Sequence, residues 1–188
     1  MEQTGEYRIA ARRQLVWEGL NDPDMLARCI AGCQSMTKSG DHTFQGLVKA
    51  KVGPVSATFS AEFELTDINA PQSYVINASV KGGQAGFGKG QAKVELQEAD
   101  AETLLQYQAS ANVGGKLAQI GSRLIDAAAR KMADDFFRAF TAEMAADAAP
   151  AAAELEPDAQ PQAALIARQW PVWAVVFALL VVTLVLVW

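Results

Sequence analysis

The residue types that most often carry chemistry are sparse in this chain. It has one histidine, His42, and two cysteines, Cys29 and Cys33. His42 follows Gly40-Asp41 in a predicted turn, where solvent rather than a pocket surrounds it, and acid–base catalysis needs a group held in a pocket. Cys29 and Cys33 form a C-x3-C pair, but a structural zinc or an iron–sulfur cluster takes four ligands. The pair therefore reads as two ordinary thiols. Gly86, Gly88 and Gly90 imitate part of a dinucleotide fingerprint. They fall between predicted strands, however, with no helix N-terminus to receive a pyrophosphate. A mobile hairpin tip presenting Phe87 as a lid or partner contact is the better reading. No G-x-S-x-G elbow or P-loop occurs in the sequence. The chain reads as a binding or docking protein, not an enzyme, with no metal site and no catalytic residue.

Charge narrows the partners. The 188 residues carry 16 Lys and Arg against 21 Asp and Glu, for a formal net charge of -5. Along the chain the basic residues are interleaved with acids, whereas nucleic-acid binding needs them concentrated on one face. The N-terminal stretch lacks an apolar run long enough for a signal peptide. With two cysteines and no disulfide framework, the folded part is expected in the reducing cytoplasm.

The positioning elements follow from periodicity. Tyr7 and Ile9 alternate with Glu6 and Arg8 as a first strand. Arg12 to Gly19 and Pro23 to Ile30 read as two short helices, with Pro23 favoured at a first helical position. After Gly32 the period becomes two. From Val55 to Leu65 every odd residue is apolar and every even one polar, the pattern of an antiparallel strand with one wet face. Further strands are predicted at Phe44 to Val52, Tyr74 to Val80, Ala92 to Leu96 and Leu105 to Val113, separated by Gly, Pro and Asn turns. Lys116 to Met144 reads as one helix about 43 Å long, with an apolar stripe of Leu117, Ile120, Leu124, Ala128, Met132, Phe136 and Phe140. The order predicts an α+β fold: a curved antiparallel sheet of about seven strands gripping a long C-terminal helix.

Many inward candidates on that sheet are alanines, among them Ala57, Ala61, Ala78, Ala92, Ala109 and Ala111. Either helix and sheet approach closely over these methyl groups, or they enclose a cavity. Composition leaves both open. A void costs about 24 cal/mol per Å3, so a large one is kept mainly where a ligand fills it. For the cavity case the lining candidates are Ala57, Phe59, Ala61, Phe63, Tyr107, Leu124, Ala128 and Met132. Lys51, Pro54, Phe87 and Lys89, at predicted hairpin tips, are candidates for a partner face.

Beyond a domain expected over residues 1–145, residues 146–169 are rich in Ala, Pro, Gln and acids, with too little apolar surface for a core. They read as a flexible linker. Trp170 to Trp188 then contains no charge and spans roughly 28 Å as a helix, near the ~30 Å hydrocarbon thickness of a bilayer. Trp170, Trp173 and Trp188 sit where interfacial aromatics are favoured. A single-pass tail anchor on the cytoplasmic face of the cell membrane is expected.

Several short segments together resemble the family of the CoxG subunit of carbon monoxide dehydrogenase, a branch of the START-like (SRPBCC) helix-grip superfamily. They are Val16-Trp17, Leu20-Asn21-Asp22-Pro23, Cys29-Ile30-Ala31-Gly32-Cys33, Lys51-Val52-Gly53-Pro54-Val55 and Val113-Gly114-Gly115-Lys116-Leu117-Ala118. Gly121-Ser122-Arg123-Leu124-Ile125 and Asp135-Phe136-Phe137 complete the set. Where the family usually has Pro-Gly-Cys, this chain has Ala31-Gly32-Cys33. The resemblance implies an apolar ligand pocket between sheet and helix. It also implies association with an aerobic molybdenum-containing CO dehydrogenase, or a related molybdenum hydroxylase, at the membrane. A bound quinone, with no covalently attached cofactor, is the ligand such a membrane-tied member is expected to carry, so that electrons pass to the respiratory chain. A plain membrane anchor or assembly factor is the competing expectation, and a cyclase-like enzyme a third.

Overall fold

The computed structural model describes residues 2–154. The expected membrane segment, Trp170 to Trp188, and the later part of the expected linker lie outside the described residues. Among the described residues no helix is long and apolar enough to cross a membrane.

Strand β1 (Glu2–Ile9) is followed by two short helices, α1 (Arg13–Leu20) and α2 (Pro23–Cys29). Pro23 opens α2, and the Asp22 carboxylate accepts from the Asp24 backbone N–H at 3.0 Å, satisfying one of the orphan donors of that terminus. A meander of six strands comes next: β2 (Cys33–Lys38), β3 (Thr43–Val52), β4 (Val55–Asn69), β5 (Ser73–Lys81), β6 (Phe87–Ala99) and β7 (Glu102–Gly114). All neighbours are antiparallel, and β1 closes against β7, giving the order β1-β7-β6-β5-β4-β3-β2. Two helices finish the domain, α3 (Lys116–Gln119) and α4 (Ser122–Glu154).

Two expectations need correction. The first is the single helix from Lys116. Its chain is interrupted between α3 and α4 at Gly121, whose φ of +94° is a left-handed conformation that only glycine adopts cheaply. The second is the glycine-rich hairpin tip expected to present Phe87: the turn ends at Gly86. Phe87 already belongs to β6, paired with Lys81 and Gly114. Gly86 is forced by proximity: a Cβ there would stand 2.1 Å from the Gly114 carbonyl oxygen. Gly86 and Gly90, whose Cβ would stand 2.8 Å from the Ser110 carbonyl oxygen, thus let neighbouring backbones approach, whereas a Cβ on Gly88 would meet nothing nearer than 3.8 Å.

The apolar core forms at two separate places. At one end α1 and α2 lie under the sheet, where Ile9, Val16, Leu20, Leu105 and Phe140 are buried together. Each such side chain contributes about 1.5–3 kcal/mol. Thr103, fully buried there, donates to the Ala11 carbonyl at 2.7 Å, so its hydroxyl is satisfied. Trp17 meets Tyr74 edge-on at 5.2 Å, and Arg28 reaches Glu143 at 2.6 Å, tying α2 to α4. At the other end Phe59, Ala85 and Leu117 form a smaller cluster with Val52, Val80, Val113 and Ile120.

Candidate functional site

Between the two clusters the sheet presents its smallest residues. Strand register sets Leu65, Ile76, Ala92, Ala109 and Gln3 in one transverse row. The next row holds Phe63, Ala78 and Gly90. Ala78, Ala92 and Ala109 are half-buried and belong to neither cluster. Alternation places them on the inner face with Phe63 and Tyr107. Above them runs the first half of α4: Gln3 Nε2 donates to the Asp126 carbonyl at 2.9 Å, which fixes that helical turn over the row. Core packing is thus interrupted by a floor of methyl groups and a glycine.

One flank of this floor is a cleft of about 760 Å3 beside the edge strand β1, lined by residues including Gly5, Tyr7, Tyr107, Gln108, Arg130 and Asp134. Its wall is an aromatic stack. Phe137 lies 4.1 Å from Tyr7 and 6.0 Å from Tyr107, with near-parallel rings. Gly5 is required by that stack, because a Cβ there would come within 2.4 Å of the Tyr107 ring. The Tyr7 hydroxyl donates to Asp134 Oδ1 at 2.7 Å. Burial first, and then the bond to Asp134, push the Tyr7 phenol well above its ordinary pKa. Burial does the same for Tyr107, with the Tyr7 hydrogen bond opposing it. Nearby, Asp126 Oδ1 is buried without a hydrogen-bond partner.

The predicted lining residues divide. Phe59 and Ala61 are buried, and Ala57 and Phe63 half-buried, along the inner face of β4. Tyr107 is half-buried and reaches the cleft, and Ala128 is half-buried on α4. Leu124 and Met132 are corrected: they are 53% and 47% exposed. A step of four residues turns a helix about 400°, so a stripe read in fours drifts about 40° per step away from its starting face. The buried line on α4 is instead Ile125, Phe140 and Met144, with Phe136 and Phe137 packed beside it. Lys51, Pro54, Phe87 and Lys89 are all exposed and lie at one end of the sheet. Cys29 is buried and Cys33 partly so, both as free thiols, and His42 is exposed. Among the described residues no cluster of metal ligands forms.

The sequence reading missed Tyr7, Asp134, Arg130 and Asp126 as site residues. Arg130, Asp134 and Phe137 stand at helical spacing on one face of α4, a signal present in the sequence. Their partner Tyr7 is 127 residues away, and that separation hides the pairing.

A seven-strand antiparallel sheet closed over a C-terminal helix, with an interrupted apolar interior, defines the helix-grip class of α+β domains. A START superfamily protein from Mycobacterium smegmatis shares the fold, at 11% identity and a TM-score of 0.59, covering 76% of this chain and 96% of that one. So does an aromatase/cyclase from a Streptomyces species, at 14% identity and a TM-score of 0.55, over 77% and 93%. A conserved protein from Geobacillus kaustophilus is nearer in sequence, 32% identical with a TM-score of 0.73, over 77% of this chain and 95% of that one. The family model for the CoxG subunit of carbon monoxide dehydrogenase matches residues 5–145. The chain belongs to that family. Comparison with curated proteins returns no match.

Proposed function

We propose that the chain is a membrane-held accessory protein of a molybdenum-containing carbon monoxide dehydrogenase, or of a related molybdenum hydroxylase. On this reading it carries an apolar ligand of the quinone type between sheet and α4, and delivers it to the enzyme for electron transfer to the respiratory chain. The supporting observation is the divided core, with a floor of Ala78, Gly90, Ala92 and Ala109 between two packed ends. A flat ring suits that floor, since methyl groups and glycine leave height above the sheet. The Tyr107 hydroxyl at its flank can donate to the oxygen of such a ring, and the unpartnered Asp126 Oδ1 can accept from the hydroxyl of its reduced, quinol form. The family's description supports the choice of partner, and the charge-free composition of Trp170–Trp188 supports membrane attachment.

A binding role fits this site better than catalysis. Burial pushes the phenols of Tyr7 and Tyr107 upward, away from neutrality, where neither serves as a proton-transfer group. Redox chemistry would reside in the ligand itself. Solvent extraction of the purified full chain followed by mass spectrometry tests the proposal. One equivalent of a quinone is expected. A chain that copurifies with the dehydrogenase but yields no apolar molecule would instead be a plain membrane anchor or assembly factor.

A further inference from the structure

Folding sorts charges that the sequence interleaves. The β3–β4 hairpin carries Lys49 and Lys51, the β5–β6 turn is flanked by Lys81 and Lys89, and the β7–α4 connection carries Lys116 and Arg123. Residues 43–58, 79–91 and 110–125 contain no Asp or Glu. Register brings these segments to one end of the sheet: Leu47, Ser60, Lys81, Phe87 and Gly114 form a single transverse row. Gly53, at the hairpin tip, stands against Ile120 in the connection to α4, closing the same pole from the helix side. All six basic residues are exposed. Among the described residues none of the six forms an ion pair. The other ten Lys and Arg share the rest of the chain with all 21 acids.

Alternation puts Lys49, Lys51, Lys81, Phe87 and Lys89 on the outer face, opposite the inner floor. Two large apolar side chains lie in the same row, Leu47 at 43% and Phe87 at 53% exposure. We infer that this pole docks on the anionic headgroups of a phospholipid bilayer. Charge complementarity is the first argument, because each lysine near an anionic surface strengthens partitioning about fivefold. The chemistry of the patch is the second. Its four outer cations are all lysines, whose flexible stems let the ammonium reach headgroups while an exposed aromatic enters the interface. A folded protein partner reading carboxylates would favour the planar fork of arginine. The docking is independent of what the interior carries.

Lysine footprinting of the purified full chain tests it. The chain is mixed with phosphatidylcholine vesicles, with or without about a third of phosphatidylglycerol, acylated briefly and read by mass spectrometry. Any attachment through the tail is common to both vesicles, so the comparison isolates headgroup charge. Labelling of Lys49, Lys51, Lys81 and Lys89 is expected to fall severalfold on the anionic vesicles only, and to recover in high salt. Lys38 and Lys93 serve as unchanged internal references. The variant K49Q/K51Q/K81Q/K89Q should lose salt-sensitive binding to anionic vesicles while unfolding at the parental midpoint. Equal labelling on both vesicles overturns the inference. So does protection that appears only when the purified dehydrogenase is added, which would assign the pole to a protein. Whichever result is obtained, the extraction experiment on the interior is unaffected.

Discussion

Tyr7 joins three parts of the molecule through one side chain: its ring stacks on Phe137 from α4, lies parallel to Tyr107 from β7, and its hydroxyl holds Asp134. Tyr7→Phe keeps the stack and removes only the hydrogen bond. A loss of about 1–2 kcal/mol is expected, since the acceptor is a carboxylate but the bond is exposed to water, and urea denaturation would measure it. Asp126 presents the opposite case. Its Oδ1 is buried without a partner, so Asp126→Ala should raise stability by about 1 kcal/mol or more while weakening retention of any ligand that donates to that oxygen. Cys29 gives a pH dependence. Burial is the main reason its thiol is pushed up to about 11 from 9.0. Between those values the unfolded chain loses the proton and the folded one keeps it, so stability present below pH 9 falls as pH rises toward 11. The loss is about 1–2 kcal/mol once screening is allowed for. Thermal melts of Cys29→Ala should be flatter than the parent across that window, with the buried Tyr74 phenol adding a fall in both at higher pH.

Among the elements, the strands were the most legible. From Val55 to Leu65 one face is dry and the other wet, and alternation records that directly in the residue types. Helices α1 and α2 were equally readable, because Asp22-Pro23 has a local meaning at a helix start. The long helix was legible in kind but not in phase. Within α4 a stripe read in fours drifts off the buried face, which misplaced Leu124 and Met132, and a glycine after Ile120 does not announce a left-handed φ. Gly121 therefore makes a discriminating test. A Cβ there meets nothing within 4 Å, so any destabilisation in Gly121→Ala comes from backbone conformation alone. A cost of about 1–2 kcal/mol is expected. Gly88 has ordinary φ and a nearest neighbour at 3.8 Å, and Gly88→Ala should be neutral within error. Equal effects of the two substitutions would mean that the α3–α4 break is not held by glycine.

At the scale of the whole domain, the two packed ends and the floor between them are what the alanine-rich composition could not decide. The same methyl groups serve a close helix–sheet contact or a hollow, and only register shows that Ala78, Ala92 and Ala109 gather away from both clusters. Ala92→Leu separates the two cases energetically. Its neighbours across the sheet are Ile76 and Ala109, so the added carbons project into the space above the floor. In a tightly packed interior, overpacking costs about 1–3 kcal/mol. In a hollow, the new methylenes bury without strain and contribute up to about 0.8 kcal/mol each. The expected result is unchanged or higher stability of the ligand-free chain in urea, together with loss of the apolar molecule from solvent extracts. A destabilised Ala92→Leu would show that the floor is already filled by this chain's own side chains, and the carrier role would then have no room in which to operate.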